Sequence, residues 1–376
     1  MVIVLLIAVL FLAFSNGAND NFKGVATLLG SKTTNYKFAL TWATLTTMAG
    51  SLAAIFLAQK LITLFSGKGL VPDQIVQMGS FSASVAAAAA TTVFLATRLG
   101  FPISTTHAIT CALVGSGYMA SADGVNLSKL ISTFFMPLIV SPFIAIISAL
   151  LLYPLFSMVR RKLRVARESC LCIGREVLVT SAQGLSHGSS TAAMVQIETL
   201  PTMSFGTTVT CEQRYVGKML GLDAKMVLDV SHFVSSGLVS FARGLNDTPK
   251  IAAILLVGGT LGPISAIGTV GLAIALGGIL MAKRIAETMS YNITEMNDGQ
   301  GFTANFITSL VVLGASQLGM PVSTTHVSCG ALFGIGTITK KAHWGSIMKI
   351  VMSWVITLPT AAALGYICFA LLKGFN

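Results

Sequence analysis

Pro102-Ile103-Ser104-Thr105-Thr106-His107 and Pro321-Val322-Ser323-Thr324-Thr325-His326 are two copies of one polar tract set in apolar surroundings. The chemistry such a tract offers is anion binding. Proline is favourable at the start of a helix, where its missing N–H would have no partner anyway. Ser104 and Ser323 then fall near a helix N-terminus, where unpaired backbone N–H groups and the positive dipole end attract negative charge. Thr105, Thr106, Thr324 and Thr325 add hydroxyls that can donate to the oxygens of a tetrahedral oxyanion. Neither tract holds an Arg or Lys, which suits an anion that must also be released. Hydroxyls also cap and pack membrane helices, but two matched copies, each behind a broken apolar segment, favour the anion. His107 and His326 read as spacers or caps on the first turn rather than as proton relays.

The match extends well beyond these tracts. Residues 99–117 and 318–336 align without a gap at an offset of 219 residues. Upstream, Gly17-Ala18-Asn19-Asp20 matches Gly244-Leu245-Asn246-Asp247 at an offset of 227. Each Asp follows an apolar stretch, and a carboxylate at depth in a bilayer points to function. Asn19 with Asp20, and Asn246 with Asp247, supply hard oxygen ligands of the kind an alkali cation accepts. Gly17 and Gly244 would let the helix unwind and free carbonyl oxygens. The expectation is two cation sites flanking an anion, with a proton on the carboxylate as the alternative. Lys23 and Lys250 lie just past the two aspartates, where they either pair with them or snorkel.

The elements that position these residues belong to a membrane protein. Hydrophobic residues make up 54% of the 376 and charged residues only 10%, against about 25% charged in a soluble domain. Apolar runs at 1–14, 38–65, 128–157, 250–282 and 345–372 recur along the chain, and about 20 residues suffice for one crossing. The first run lacks a basic leader and a cleavage site, so it is expected to remain as a span. The net charge of +11 says little about substrate, since basic loops are usual on the cytoplasmic side. Six cysteines show no zinc spacing, and no transition metal, cofactor or nucleic-acid partner is expected.

Three parts follow: a first repeat at 1–157, a linking basic loop and membrane insert at 158–225, and a second repeat at 226–376. The expected fold is all-α, with two inverted-topology repeats. Each would hold a discontinuous helix carrying G-x-N-D and a broken, re-entrant hairpin carrying P-x-S-T-T-H. Arg160, Arg161, Lys162, Arg164 and Arg167 place the loop after the 128–157 span in the cytoplasm. Basic residues flanking the second half place its start inside, so both termini are expected outside and the insert crosses an even number of times. Substrate would then lie near the midplane, at discontinuous helices. Within the insert, the polar break from Gln183 to Ser190 is either a third element near the pathway or a packing seam.

The duplicated Gly-x-Asn-Asp and Pro-x-Ser-Thr-Thr-His motifs resemble those of the inorganic phosphate transporter family, over most of the chain. The resemblance implies phosphate at the hairpin tips, sodium as coupling ion at the Asn-Asp elements, and a homodimer in a lipid bilayer. The family's first motif usually continues Asp-Val-Ala-Asn-Ala, whereas this chain reads Asp20-Asn21-Phe22-Lys23-Gly24, and its second copy runs Asp247-Thr248-Pro249-Lys250. A proton-coupled phosphate or sulfate permease is the nearest rival. A passive anion channel is a more distant one. An intramembrane Ser/His hydrolase fits worst, since a nucleophile needs no second, oppositely oriented copy.

Overall fold

The computed structural model describes residues 1–121, 124–166, 168–174, 177–181, 194–198, 202–207, 209–210, 220–257, 259 and 261–375. Among them, seven helices are long and apolar enough to cross a membrane. The chain divides into two compact units. One is Met1–Tyr153 with His232–Asn376, and the other is Pro154–Ser231.

The first unit opens with α1 (Val2–Asp20), the short α2 (Ala26–Gly30), α3 (Tyr36–Leu57) and α4 (Gln59–Phe65). A hairpin follows, formed by α5 (Gly79–Leu99) and α6 (Thr105–Ala120), and then α7 (Met136–Lys162). The later half supplies α8 (Ala224–Val257), α9 (Pro263–Met281), a second hairpin of α10 (Asp298–Leu318) and α11 (Thr324–Thr339), and α12 (Trp344–Leu372).

The two hairpins turn by the same chemistry. α5 and α10 end on Gly100 and Gly319, both left-handed at φ 79° and 74°, a conformation glycine adopts without a Cβ clash. The next N–H reaches back five residues in each case, Phe101 to Ala96 O and Met320 to Ala315 O, both 2.9 Å. Pro102 and Pro321 keep the break extended. Ser104 and Ser323 then cap the second arm, accepting from His107 N at 3.1 Å and His326 N at 3.2 Å. Both hairpins are thus broken at the tip.

Helices from the two halves cross with their backbones in contact. A Cβ on Gly17 would lie 1.9 Å from Ile274 O, and one on Gly277 would lie 1.9 Å from Phe14 O, so α1 and α9 meet without side chains between them. The repeat-equivalent positions do the same for α3 and α8: Gly244 faces Thr47 O at 2.1 Å and Gly50 faces Phe241 O at 2.0 Å. Small residues at such crossings are what membrane helices use to approach closely. This corrects one expectation. Gly17 and Gly244 lie inside helices, so they serve close packing rather than unwinding.

The Asn-Asp elements differ in continuity. α1 stops at Asp20, and residues 21–25 form tight turns closed by Lys23 N to Asp20 O and Val25 N to Phe22 O, each 3.1 Å. Gly24 lets these turns pack against α8, because a Cβ there would meet Ser240 Oγ at 2.2 Å. In the second copy α8 runs through Asp247 and past Pro249 to Val257. The expected discontinuity therefore holds for the first copy and not for the second, where one proline is absorbed within a 34-residue helix.

The all-α expectation also needs correction. In the unit Pro154–Ser231, β1 (Ser169–Gly174), β4 (Thr202–Thr207) and β5 (Leu220–Asp223) form an antiparallel sheet in the order β4-β1-β5. β2 (Val177–Ser181) and β3 (Met194–Glu198) pair separately. Cys170 and Cys172 on β1 face inward while Leu171 and Ile173 are half-buried, the period-two pattern of a strand. No described helix between 163 and 223 is long enough to cross a bilayer, and an open sheet edge does not tolerate lipid. Gln183 lies outside the described residues.

Candidate functional site

The two hairpin tips meet each other. Thr325 Oγ1 at the second tip donates to Ile103 O at the first, 2.8 Å. Thr106 Oγ1 at the first donates to Val322 O at the second, 3.3 Å. These two bonds are one bond written twice, since 103 and 322, and 106 and 325, are equivalent positions.

Each junction is held by a lysine. Lys23 Nζ donates to Ile103 O at 3.0 Å and Thr325 Oγ1 at 2.6 Å, so it touches both tips. It also bonds Asn19 Oδ1 at 2.7 Å and pairs with the Asp20 carboxylate. Lys250 Nζ mirrors this, donating to Val322 O at 2.9 Å and Thr106 Oγ1 at 2.7 Å, with Asp247 Oδ1 at 3.6 Å. Of the two readings left open by the sequence, pairing holds and snorkelling does not: Lys23 and Lys250 are 3% and 1% exposed.

The Asn-Asp elements sit against the tips. Asn19 takes the Ile103 N–H at 3.1 Å and donates to Phe101 O at 3.1 Å and Thr97 Oγ1 at 2.8 Å. Asn246 donates to Val322 O at 3.2 Å and accepts from Ser316 Oγ at 3.2 Å. Thr97 and Ser316 are again repeat equivalents. Asp20 Oδ2 accepts from Thr105 Oγ1 at 3.1 Å and Asn16 Nδ2 at 2.8 Å. Asp247 Oδ1 accepts from Asn246 Nδ2 at 2.9 Å. Thr324 is buried on the first turn of α11.

One position breaks the equivalence, and sequence reasoning missed it. Asn16 in the first copy corresponds to Arg243 in the second, and the two are bonded, Arg243 Nη2 to Asn16 Oδ1 at 3.1 Å. Arg243 also donates to Asn21 Oδ1 at 3.0 Å and Thr47 Oγ1 at 3.3 Å, and its Nε lies 3.8 Å from Asp247 Oδ2. It is 1% exposed. The signal was present, because Arg243 immediately precedes the second G-x-N-D.

The histidines act as ring spacers. His107 stands edge-on to His326 with centroids 4.5 Å apart, and His326 stacks on Trp354 at 3.9 Å. Neither caps with its ring: the serines cap the helices through the histidine backbone N–H groups. Trp354 Nε1 donates to Pro102 O at 2.9 Å and so holds the first tip from α12. Trp354→Phe keeps the stacking but strips that carbonyl of its donor, a loss of about 1–3 kcal/mol. The expected result is a lower melting temperature of the purified protein, with no change in helix content by circular dichroism.

Two aspartates, two lysines and one arginine are thus enclosed by paired hairpins in a body of membrane-length helices. That arrangement defines a multi-pass membrane protein with a cluster of buried charges between its hairpins. The chain belongs to the phosphate transporter family, whose profile matches residues 16–365, and it is a transporter rather than an enzyme. A relative named "Putative phosphate permease" from Thermococcus kodakarensis is 30% identical over 391 residues, covering 96% of this chain and 95% of its own. A Pyrococcus horikoshii protein of the same name is 28% identical, covering 99% and 97%. A solved structure, "The sodium-dependent phosphate transporter", aligns over 100% of this chain and 99% of its own, with a TM-score of 0.75 at 22% identity. It is a likeness of fold.

Proposed function

We propose that this protein carries inorganic phosphate across a membrane by alternating access, receiving the anion between the hairpin tips. The observation that supports this most is the meeting of the two Ser-Thr-Thr tips around Lys23 and Lys250. Ser104, Thr105, Thr106, Ser323, Thr324 and Thr325 offer hydroxyl donors from both sides, and the two lysines and Arg243 bring positive charge beside them. A tetrahedral oxyanion has acceptor oxygens in every direction, which matches donors arriving from two opposed tips.

The repeats are inverted in this reading, so the first hairpin enters from outside and the second from the cytoplasm, with both termini outside. The equivalent hydrogen bonds at the tips and the equivalent glycine crossings support a pseudo-two-fold relation between the halves. Such a relation places substrate at the repeat interface. A cation belongs beside Asn19 and Asp20, and another beside Asn246 and Asp247. Sodium is the ion that the family resemblance implies there, and a proton-driven permease would use the same anion site. The homodimer is tested by the mass of the detergent-solubilised protein.

The experiment is uptake of labelled phosphate into proteoliposomes, with unlabelled sulfate as competitor. Saturable uptake is expected, with accumulation when a driving ion gradient is imposed, and uptake that does not saturate would mean a channel. Ser104→Gly and Ser323→Gly separate binding from folding, because glycine at a helix N-cap costs only a few tenths of a kcal/mol. Each loses a hydrogen bond to a charged oxyanion, about 1.5–3 kcal/mol or roughly 10- to 150-fold in phosphate affinity. Wild-type affinity in the double variant would remove the tips from the anion site.

A further inference from the structure

The oxygen set expected to hold a coupling cation is already spent on side chains of this chain. Lys23 Nζ is ringed by Asn19 Oδ1, Ile103 O, Thr325 Oγ1 and the Asp20 carboxylate. These are four oxygens from three separate elements, which is what an alkali ion bound there would need. Lys250 Nζ meets Val322 O, Thr106 Oγ1 and Asp247 Oδ1 in the same way, with the face of Phe65 5.5 Å away. Each ammonium reaches its cage from three residues past the aspartate, so the chain itself delivers it. Lys23 and Lys250 each stand three residues past the aspartate of their copy.

We infer that Lys23 and Lys250 are tethered counter-cations standing in the two cation sites, so that this carrier moves phosphate without requiring sodium. The inference rests on the phosphate reading above. Charge counting carries it further. The described ionised side chains of the centre are Asp20 and Asp247 against Lys23, Lys250 and Arg243, an excess of one positive charge. The rings of His107 and His326 count as neutral, since among the described residues His107 has no hydrogen-bond partner at either nitrogen and His326 none at Nε2, and a buried charge left unpaired is costly. A monovalent phosphate anion therefore neutralises the centre unaided. Adding sodium ions to the same cages would either expel the ammonium groups from their oxygen ligands or stack uncompensated charge in low dielectric, at several kcal/mol per ion.

The test compares sodium chloride with choline chloride at equal ionic strength, pH and membrane potential. Phosphate uptake into proteoliposomes is expected at the same rate in both salts. The melting temperature of the purified full chain, without phosphate, is expected to be the same in both salts too. A requirement for sodium in uptake, or stabilisation specific to sodium as mass action demands of a bound ion, would overturn the inference. Absence of phosphate uptake in either salt would instead count against the phosphate reading, and the melting comparison would still judge the cages. Lys23→Asn combined with Lys250→Asn removes both ammonium groups, leaves room and supplies an amide oxygen. This variant is expected to gain a sodium-specific rise in melting temperature and, where it transports, uptake dependent on sodium by about tenfold or more, the scale of an unpaired buried carboxylate regaining a cation. If it folds and is indifferent to sodium in both measurements, the cages are not cation sites and the inference fails.

Discussion

Asp20→Asn is expected to abolish phosphate uptake while leaving the protein inserted in the membrane. The substitution changes one oxygen to an amide and hardly alters volume. It removes the carboxylate that pairs with Lys23 and accepts from Thr105 and Asn16. Breaking a buried pair by deleting one charge costs about 3–5 kcal/mol, because the partner is left uncompensated. Lys23 is 3% exposed and bonded to both tips, so its loss of a counter-charge reaches the anion site directly. The readouts are melting temperature and proteoliposome uptake. Asp20→Asn with Lys23→Met removes the whole pair and is expected to recover much of the lost stability without recovering transport. Transport at the wild-type rate in Asp20→Asn would show that the carboxylate is not part of the mechanism.

The second large effect belongs to a glycine with no polar chemistry at all. Gly17→Ala adds one methyl group at a place where it would sit 1.9 Å from Ile274 O. The obstacle is backbone, so no rotamer change relieves it, and α1 and α9 must move apart. Overpacking usually costs about 1–3 kcal/mol, and a clash between two main chains falls at or beyond the upper end. Gly244→Ala, its equivalent against Thr47 O, should behave alike. Gly268→Ala is the control: it lies in the same α9 with nothing within 4 Å of a new Cβ, and alanine there gains up to about 1 kcal/mol of helix propensity. Comparing folded yields and melting temperatures of the three proteins checks the argument. Equal stability in all three would mean that the crossings are not in close contact.

How legible this was depended on the kind of signal. The hairpins could be read, because Gly100, Pro102 and Ser104 each perform a local task that repeats at Gly319, Pro321 and Ser323. The carboxylates could be read because charge in an apolar run stands out. The role of Lys23 and Lys250 could not be settled, since pairing and snorkelling differ only in where the helix end lies relative to other elements. Arg243 does not stand out for a related reason: its copy in the first half is Asn16, so the repeat gives it no counterpart. Gly17 and Gly244 read as points of unwinding because sequence shows a missing side chain and not the carbonyl that fills its place. The strands in the insert are not legible because the Ser169-Cys170-Leu171-Cys172-Ile173 run is short and as apolar as the spans around it.

The glycine crossings also set the order in which this protein can be made. α1 rests on α9, and α3 rests on α8, so helices synthesised first find their partners only after the middle of the chain. Gly17 waits for Ile274. At about 5–20 residues per second, translation of the intervening chain takes roughly 13–50 s. During that interval the grooved faces of α1 and α3 have no proper neighbour, and any lipid or insertion factor alongside them must later be released. A ribosome that stalls after the first half therefore leaves an incomplete molecule rather than a half-sized functional one. Fusing the gene's halves in reverse order, or co-expressing them as separate chains, would change the waiting time without altering a single contact.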